Sequence, residues 1–368
     1  MLALPEGGVP NTEPQYACAR SAIMDMRSIE PAIRLRYCDD GNPGITRRPL
    51  KRGERTVWAY FDADGKRIAD REEIERLNRI ALPPAYTDAW FCPHADGHLQ
   101  ATGIDARGRK QYRYHPLFRL QQESGKFDAT ANFGASLPTI RKQMEADLSA
   151  RSLCRTRAIA SVVRLLDTGG IRIGNEAYVK ANGSFGATTL RMRHAKVSGG
   201  ALKLRFKAKS GKLREMTLTD RSLVSFVRRM QDLPGQHLFQ YLDEAGEACP
   251  VSSSDVNEYL RETCDEAFTA KHFRTWHASV TAFSLLAAGK GKMTVKTLAN
   301  TVSERLGNTP AIARKSYIHP AVLALVDRQE EWRAGLRLPR ATRWLTRDER
   351  GLLALLEGAP AAAKLLAG

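Results

Sequence analysis

The spacing of apolar residues changes at about Phe127, and this change limits the possible folds more than any other feature of the chain. Before it, short strand-like runs alternate with turn pairs. The run 58–61, for example, leads into Asp64-Gly65, a pair favoured in tight hairpins. After it the spacing is helical, apart from one β region between Thr188 and Leu218. The sequence therefore predicts an α+β protein with a small, mostly-β amino-terminal domain and a larger, mainly helical domain that contains a basic β-hairpin.

The length of 368 residues leaves room for two domains, each with its own core. We expect the β domain at 37–126 and the helical domain at 127–345. An arm at 1–36, whose fold the sequence does not assign, precedes them, and a tail or helix at 346–368 follows.

The chain is strongly basic, with 57 Lys and Arg against 40 Asp and Glu, a net charge of +17 and a pI of about 9.8. This excess of positive charge favours a polyanionic partner. Nucleic acid is the leading candidate, and an acidic membrane surface is the second. The longest apolar run, Val280 to Gly289, is far shorter than the roughly 18 residues of a spanning helix, and predicts a core helix. Residues 1–10 lack the basic and apolar regions of a secretory signal, which favours a cytoplasmic protein.

The cysteines are scattered and form neither a CxxC pair nor a Cys/His cluster with zinc spacing. We interpret them as ordinary thiols in a reducing compartment. They are Cys18, Cys38, Cys92, Cys154, Cys249 and Cys264. The sequence gives no reason to expect a metal ion or a cofactor.

The stretch 107–119 contains five Lys and Arg and no acidic residue, interleaved with aromatic residues. Cations can neutralise phosphates, while Gln, Arg or Tyr on a strand can reach base edges in a groove. A solvated basic hairpin would explain the segment alone equally well. The candidate DNA contacts are Arg109, Lys110, Gln111, Tyr112, Arg113 and Tyr114.

The stretch 190–214 contains nine Lys and Arg, again without an acidic residue. Apolar residues at 202, 204, 206 and 208 alternate with cations, which predicts a half-buried strand with one cationic face. Lys203, Arg205 and Lys207 on this face are further candidate DNA contacts. Ser210-Gly211 then predicts a turn that places Lys209 at a hairpin tip.

A tyrosine near a helix end is the candidate nucleophile. Thr309 predicts a helix N-cap, Pro310 a first helical residue, and Pro320 an end soon after Tyr317. Taken alone, a helical tyrosine is more often a packing residue.

Two upstream elements carry cations of similar interest. Arg172 stands between two isoleucines. Two roles are open for it: a structural ion pair or the binding of a phosphate. Lys271 and Arg274 open a predicted helix and are expected to share one face by their i, i+3 spacing.

The ordered set Arg172, Lys209, Lys271-x-x-Arg274, Asn308 and Tyr317 resembles the catalytic residues of the type IB DNA topoisomerases, in particular the bacterial and poxvirus-like branch. The segments 108–114 and 182–186 also resemble sequence motifs of that family, and the resemblance spans roughly 37–320. It implies that 37–126 contacts DNA and that 127–345 is the catalytic domain of the topoisomerase IB and tyrosine recombinase type. Two departures are Ala208, where the family usually has glycine, and Asn308, where the poxvirus enzymes have histidine.

The resemblance implies that Tyr317 attacks a DNA phosphodiester and leaves a 3′-phosphotyrosyl link, after which the strand swivels and is religated without ATP. Arg172 and Arg274 would stabilise the transition state, because guanidinium matches phosphate geometry. Lys209 would protonate the leaving 5′-oxygen, Lys271 would support that proton path, and Asn308 would donate a hydrogen bond. The implied partner is double-stranded DNA, held by a monomer that closes as a clamp in the nucleoid.

Two other functions remain open at this point. A tyrosine recombinase or integrase shares the Arg/Lys/Arg/Tyr arrangement, but typically has His-x-x-Arg where this chain has Lys271-x-x-Arg274, and lacks the segment 108–114. An architectural DNA-binding protein without catalysis would explain the charge, but not the ordered set around Tyr317.

Overall fold

The computed structural model describes residues 34–52, 55–231, 235–289 and 291–367. The chain forms two compact units, with the boundary between Phe118 and Arg119. The arm expected at 1–36 lies almost wholly outside the described residues. The predicted α+β class is confirmed.

The first unit is built on an antiparallel sheet with the strand order β2-β1-β3-β4-β5. Its strands are β1 (Ile45–Arg52), β2 (Arg55–Phe61), β3 (Thr87–Phe91), β4 (Leu99–Ile104) and β5 (Lys110–Tyr114). Helix α1 (Arg71–Arg79) begins at Asp70, whose side chain accepts a hydrogen bond from the N–H of Glu72. Its Leu77 is buried in the core of this unit with Tyr60 and Phe91. The sheet thus leaves β5 at one edge.

The sequence predicted most of this sheet but not β1. That strand carries four arginines and lysines and Pro49, and so shows no apolar alternation. It pairs with β2 along its length but with β3 only at Ile45 and Thr46, so Pro49 has a free edge on one side. The strand expected to return after Asp64-Gly65 is reduced to an isolated bridge between Phe61 and Arg67.

The second unit is mainly helical. Its helices are α2 (Pro116–Leu148), α3 (Arg155–Gly169), α4 (Glu176–Asn182), α5 (Arg221–Met230), α6 (Ser253–Cys264), α7 (Ala270–Ala288), α8 (Val295–Leu306), α9 (Pro310–Ser316), α10 (Pro320–Leu323), α11 (Gln329–Gly335), α12 (Arg347–Glu357) and α13 (Ala362–Ala367). Its strands are β6 (Ala195–Ser198), β7 (Ala201–Lys207), β8 (Leu213–Leu218), β9 (Gln240–Leu242) and β10 (Ala248–Pro250). Strands β6, β7 and β8 form the predicted basic sheet.

Helices α3 and α7 form the centre of the core of this unit. Helix α7 buries Phe273, Trp276 and Phe283 to 1% exposure or less, which confirms the predicted core helix. Removal of such apolar surface from water is the main force that holds the helices together.

A buried ion network joins three helices. In α2, Arg141 Nη2 lies 2.8 Å from Asp167 Oδ1 of α3 and 2.7 Å from Glu349 Oε1 of α12. Trp276 Nε1 of α7 donates to the same Glu349 oxygen at 3.2 Å. The network fixes α12 against the helices that carry the residues described below.

Helix boundaries differ from expectation at three places. Helix α2 begins at Pro116, well before Phe127, with the His115 ring accepting from the N–H of Leu117 at 3.2 Å. Pro320 does not end the tyrosine helix but begins α10, because the His319 ring caps that helix at its start. The terminal helix is interrupted after Glu357 and resumes as α13.

None of the helices within the described ranges is long and apolar enough to cross a lipid bilayer. The described cysteines are free thiols, and Cys18 lies outside the described residues.

Candidate active site

Tyr317 lies at the carboxyl end of α9. The helix begins at Pro310, and the Thr309 hydroxyl accepts a hydrogen bond from the N–H of Ile312 at 3.3 Å. The backbone of Tyr317, with φ −132° and ψ −40°, leaves the helical conformation, and its side chain is half-buried. The predicted N-cap, the first helical residue and the position of the tyrosine near the helix end are confirmed.

Arg274 is held beside this tyrosine by backbone carbonyls. Its Nη1 donates to the carbonyl oxygen of Gly170 at 2.6 Å, and its Nη2 donates to that of Leu306 at 3.1 Å. Both acceptors lie at the ends of helices, α3 and α8, where carbonyl groups lack intrahelical partners. The guanidinium carbon is 5.0 Å from the centre of the Tyr317 ring, and the arginine is only 3% exposed.

The cations around Tyr317 affect the pKa of its phenol. Burial raises the pKa of Tyr317, but the positive charges of Arg274, Arg172 and Lys209 outweigh it, and the pKa is lowered from its ordinary value. Burial, followed by repulsion from Arg172, lowers the pKa of Arg274 to about 10, so this guanidinium is still charged at neutral pH. Three of the four cations in the set that the sequence singled out, Arg274, Arg172 and Lys209, therefore act on the same tyrosine.

Arg172 lies in the extended segment between α3 and α4, and its backbone is fixed on both sides. Its carbonyl accepts from the N–H of Ala187 at 2.8 Å, and that of Ile173 accepts from Thr188 at 2.7 Å. Gly186 packs so closely that a Cβ there would lie 2.6 Å from the carbonyl oxygen of Arg172. The position of Arg172 is therefore set by tight packing of its backbone. Its side chain forms no ion pair within the described ranges.

Lys209 lies at the tip of the β7–β8 hairpin, as the sequence predicted. The strands pair as far as Lys207 and Leu213, and Ser210 and Gly211 turn the chain with φ of 63° and 75°. The Lys209 side chain is exposed. Its ammonium is therefore free to reach toward a bound ligand.

Two residues that the sequence did not single out connect this hairpin to α8 and to the loop before α9. Lys212 Nζ donates to the carbonyl oxygen of Asn308 at 3.2 Å. Arg214 donates to the carbonyl of Glu304 at 3.1 Å and also to that of Arg305. These contacts hold the tip end of the hairpin, beside Lys209, against the segment that precedes Tyr317.

Asn308 is 9% exposed, and neither its Oδ1 nor its Nδ2 has a hydrogen-bond partner among the described residues. Buried amides without partners are rare, because the lost hydrogen bonds to water are costly. The unpaired amide lies on the loop between Leu306, which binds Arg274, and α9, which carries Tyr317. It is suited to bind an oxygen of a ligand.

Lys271 does not share the environment of Arg274. The sequence placed both on one face of α7, but Lys271 is exposed in the first turn, whereas Arg274 lies one turn further along, where the helix has entered the core. Within the described ranges Lys271 makes no hydrogen bond or ion pair. An α-helix has about 3.6 residues per turn, so residues three apart point in directions that differ by about 60°. Lys271 therefore faces solvent while Arg274 faces the core.

Lys126 is a residue near the tyrosine that the sequence gave no reason to select. From α2, its ammonium donates to the carbonyl oxygen of Ser316 at 2.9 Å, directly before Tyr317. It also lies 4.0 Å from the centre of the Phe127 ring. A lysine in the middle of a long helix carries no motif, and only the tertiary structure reveals this contact.

The first unit presents the candidate DNA-contact strand β5 at the edge of its sheet. Its side chains are exposed except that of Gln111, which is partly covered. The rings of Tyr112 and Tyr114 stack at 6.0 Å, and Arg113 donates to the carbonyl of Ala81 at 3.2 Å.

Two cations beside these tyrosines have acidic partners. Lys110 Nζ lies 2.6 Å from Asp40 Oδ2, and Arg109 Nη2 lies 2.6 Å from Asp105 Oδ2, to which Gln111 also donates. These pairs orient the side chains in the absence of a ligand, and exposed pairs of this kind contribute little to stability.

The predicted cationic face of β7 is confirmed. Leu202, Leu204 and Phe206 are at most 3% exposed, while the intervening Lys203, Arg205 and Lys207 are exposed. Arg205 pairs with Glu215 of β8 at 2.8 Å, so an acidic residue also belongs to this face.

Comparison with known proteins identifies the family. The model of the eukaryotic DNA topoisomerase I catalytic core matches residues 114–329, more than half of the chain, and that of the bacterial DNA topoisomerase IB N-terminal domain matches residues 57–105. The chain belongs to the type IB DNA topoisomerases. The DNA topoisomerase 1B of Acanthamoeba polyphaga mimivirus is 31% identical over 296 residues, which cover 77% of this chain and 88% of the relative.

Two further proteins are similar to this topoisomerase at lower sequence identity. The DNA topoisomerase 1B of vaccinia virus (strain Copenhagen) is 23% identical over 291 residues, 73% of this chain and 90% of the viral protein. A crystal structure of the XerH site-specific recombinase in a post-cleavage complex has a TM-score of 0.36 and 15% identity, covering 52% of this chain and 51% of the recombinase.

Proposed function

We propose that this type IB topoisomerase relaxes supercoiled DNA by transient cleavage of one strand, with Tyr317 as the nucleophile. The observation that carries the proposal is the position of Arg274, whose guanidinium carbon lies 5.0 Å from the centre of the half-buried Tyr317 ring. Arg172 and Lys209 add to the positive charge that lowers the pKa of this phenol. A phenolate is a stronger nucleophile than a phenol, and the same cations can attract a phosphodiester.

In the cleavage step, a bond forms between Tyr317 Oη and phosphorus, and the bond from phosphorus to the 5′-oxygen breaks. The phenolic proton passes to solvent, and the 5′-oxygen takes up a proton as it leaves. The product is a 3′-phosphotyrosyl link and a free 5′-hydroxyl. Religation reverses these changes after the strand has swivelled. Because the covalent link conserves the energy of the phosphodiester, the reaction needs no ATP.

The remaining site residues divide into two roles. Arg172 and Arg274 bind the non-bridging oxygens, on which negative charge gathers in the transition state, and Asn308 adds a hydrogen bond there. Lys209 donates the proton to the leaving oxygen, because an ammonium has a lower ordinary pKa than a guanidinium and because Arg274 is held by two backbone carbonyls. Lys271 would have to reach this path through a change in side-chain conformation. With the charge supplied by side chains, the chemistry requires no metal ion.

DNA binding would use both units. The exposed strand β5 of the first unit and the cationic face of β7 in the second each fit the phosphate backbone, and Gln111 and the tyrosines of β5 are suited to a groove. We propose that a single chain closes on the duplex as a clamp. The net charge of +17 supports this assignment and a place with the nucleoid in the cytoplasm.

The test is relaxation of supercoiled plasmid in EDTA without ATP, together with trapping of a covalent protein–DNA adduct by denaturant. We expect relaxation and an adduct with the wild-type protein, and neither with Tyr317→Phe, whose DNA affinity should be nearly unchanged. An adduct formed by Tyr317→Phe would assign the nucleophile to another residue.

A further inference from the structure

The carbonyl group of Ser316 is one of the last in helix α9, where intrahelical partners are missing. Lys126 supplies the missing partner from a different helix, with Nζ 2.9 Å from that oxygen. A cation at this end of a helix is favourable, because it compensates the partial negative charge of the exposed carbonyls. The contact crosses 190 residues of sequence and ends next to the nucleophile.

The neighbouring peptide groups are held from the opposite side. Ser279 of α7 accepts a hydrogen bond from the N–H of His319 at 3.0 Å, and its hydroxyl lies 3.3 Å from the carbonyl oxygen of Tyr317. The N–H of Tyr317 itself donates to the carbonyl of Ala313 at 3.1 Å. The backbone on both sides of the phenol is therefore fixed by side chains from α2 and α7.

We propose that Lys126 is a positioning residue for Tyr317: it caps α9 at Ser316, sets the direction of the phenol, and adds a fixed positive charge to its surroundings. This inference rests on the proposed role of Tyr317 as the nucleophile and extends it to a residue outside the set of Arg172, Lys209 and Arg274.

The surroundings of Lys126 indicate that its charge matters as well as its hydrogen bond. The side chain is half-buried, and no carboxylate lies within ion-pair distance of it among the described residues. Burial outweighs the charges of Glu123 and Tyr317, so the pKa of Lys126 is lowered from its ordinary value. The charge compensates the exposed carbonyls at the end of α9 and lies over the Phe127 ring, and it also interacts with the Tyr317 phenol.

The interaction between Lys126 and Tyr317 is reciprocal. Since an ionised Tyr317 stabilises the lysine cation, the cation must stabilise the phenolate by the same amount. The larger electrostatic effects on the phenol come from Arg274 of α7, Arg172 of the segment after α3 and Lys209 of the hairpin, so the contribution of Lys126 is smaller than theirs. Removal of the Lys126 charge alone should therefore raise, but not restore to its ordinary value, the pKa of Tyr317.

Three substitutions separate the hydrogen bond from the charge. Lys126→Arg keeps both, Lys126→Gln keeps a donor without the charge, and Lys126→Met removes both at similar length. The matched control is Lys142→Met, an exposed lysine of the same helix. Each protein is tested for single-turnover formation of the covalent adduct between pH 5 and about 10, on a duplex that contains a cleavage site mapped with the wild-type protein. Thermal midpoints and DNA affinity show that each variant is folded.

We expect Lys126→Met to slow cleavage at neutral pH by about 10- to 100-fold, since small displacements of a reacting group have effects of this size. The rising limb of its pH profile should also move to higher pH. Lys126→Gln should show the same shift with a smaller loss of rate. Lys126→Arg and Lys142→Met should both keep the wild-type pH dependence.

The outcomes distinguish this inference from the proposed function. Wild-type rates and profiles in Lys126→Met and Lys126→Gln, with Tyr317→Phe inactive, would overturn the role of Lys126 alone. A slower Lys126→Met with an unshifted profile would reduce the lysine to a structural cap and contradict the proposal. Adduct formation by Tyr317→Phe would overturn both the nucleophile and the inference built on it.

Discussion

The guanidinium carbon of Arg274 lies 5.0 Å from the centre of the Tyr317 ring, and the arginine reaches this position by donating to the carbonyls of Gly170 and Leu306. The contact joins the amino-terminal part of α7 to the end of α9. It shows how a buried cation can be oriented without a carboxylate that would cancel its charge.

The first prediction follows from that geometry. Arg274→Ala should reduce the single-turnover cleavage rate by about 100- to 1000-fold, the usual cost of losing a preorganised donor in the transition state. Arg274→Lys should recover little of this, because an ammonium cannot span two carbonyls and a phosphate as a planar fork can. The exposed Arg221→Lys is the matched control and should cleave at the wild-type rate. Full activity in Arg274→Lys would show that charge alone is sufficient.

The second prediction separates Lys209 from the arginines by leaving-group chemistry. If Lys209 protonates the leaving 5′-oxygen, replacement of that oxygen by sulfur should restore much of the cleavage lost in Lys209→Ala, since a thiolate leaves without a proton. Arg172→Ala should gain far less, because its partners are the non-bridging oxygens. The measurement is single-turnover cleavage of paired oxygen and 5′-bridging-sulfur duplexes.

The same assay decides the role of Lys271. Rescue of Lys271→Ala by sulfur would mean that the exposed ammonium moves into the proton path when DNA is bound. Equal rescue of Lys209→Ala and Arg172→Ala would mean that the proton comes from another group.

The third prediction concerns the cationic face of β7. Lys203→Ala combined with Lys207→Ala should reduce the slope of log affinity against log salt concentration by about 2, if each lysine neutralises one phosphate. The control pair, Lys142→Ala with Lys364→Ala, makes the same change in net charge on exposed helix positions. An equal change of slope in both pairs would indicate a general charge effect and remove β7 from the interface.

The fourth prediction concerns stability in acid. Burial raises the pKa of Glu349, but the contacts with Arg141 outweigh it and lower the pKa to about 2. A carboxyl with a lower pKa in the folded than in the unfolded state adds stability above its ordinary pKa, and this contribution is lost as the pH falls from about 4.5 to 2. Glu349→Gln should therefore unfold more easily by on the order of 3 kcal/mol at pH 7, and the difference should shrink toward pH 2.

Urea unfolding of the wild-type protein and of Glu349→Gln at pH 7 and pH 3 measures this difference. Glu357→Gln, an exposed position in the same helix, should have no effect at either pH. A stability loss in Glu349→Gln that does not depend on pH would assign the effect to packing.

The elements of the site could be predicted where local chemistry decides them. Thr309 and Pro310 specify the start of α9 by capping and by fixed φ, and Ser210-Gly211 specifies the hairpin tip that carries Lys209. The alternation in β7 likewise gave its buried and exposed faces. Each of these features is determined by residues that are close together in the chain, so the sequence alone is enough to predict it.

The contacts between elements could not be predicted in this way. Lys126 and Arg214 act on carbonyls that lie 190 and 90 residues further along the chain, and no local pattern marks them. For Lys271 and Arg274 the helix was predicted correctly, but not the point at which it enters the core. That point depends on the helices packed around α7, and it determines which cation reaches the tyrosine.

The unpaired amide of Asn308 and the uncompensated charge of Arg274 have a common consequence for the protein without DNA. Both groups lost contact with water when the chain folded, and within the described ranges no acidic side chain pairs with this arginine, while the amide has no hydrogen-bond partner. Folding thus carries an unfavourable free energy at these two groups, which a phosphate bound there as proposed would offset. The complex with DNA should accordingly melt at a higher temperature than phosphate contacts on the surface alone would produce, and the substrate is, in thermodynamic terms, the last element of the fold.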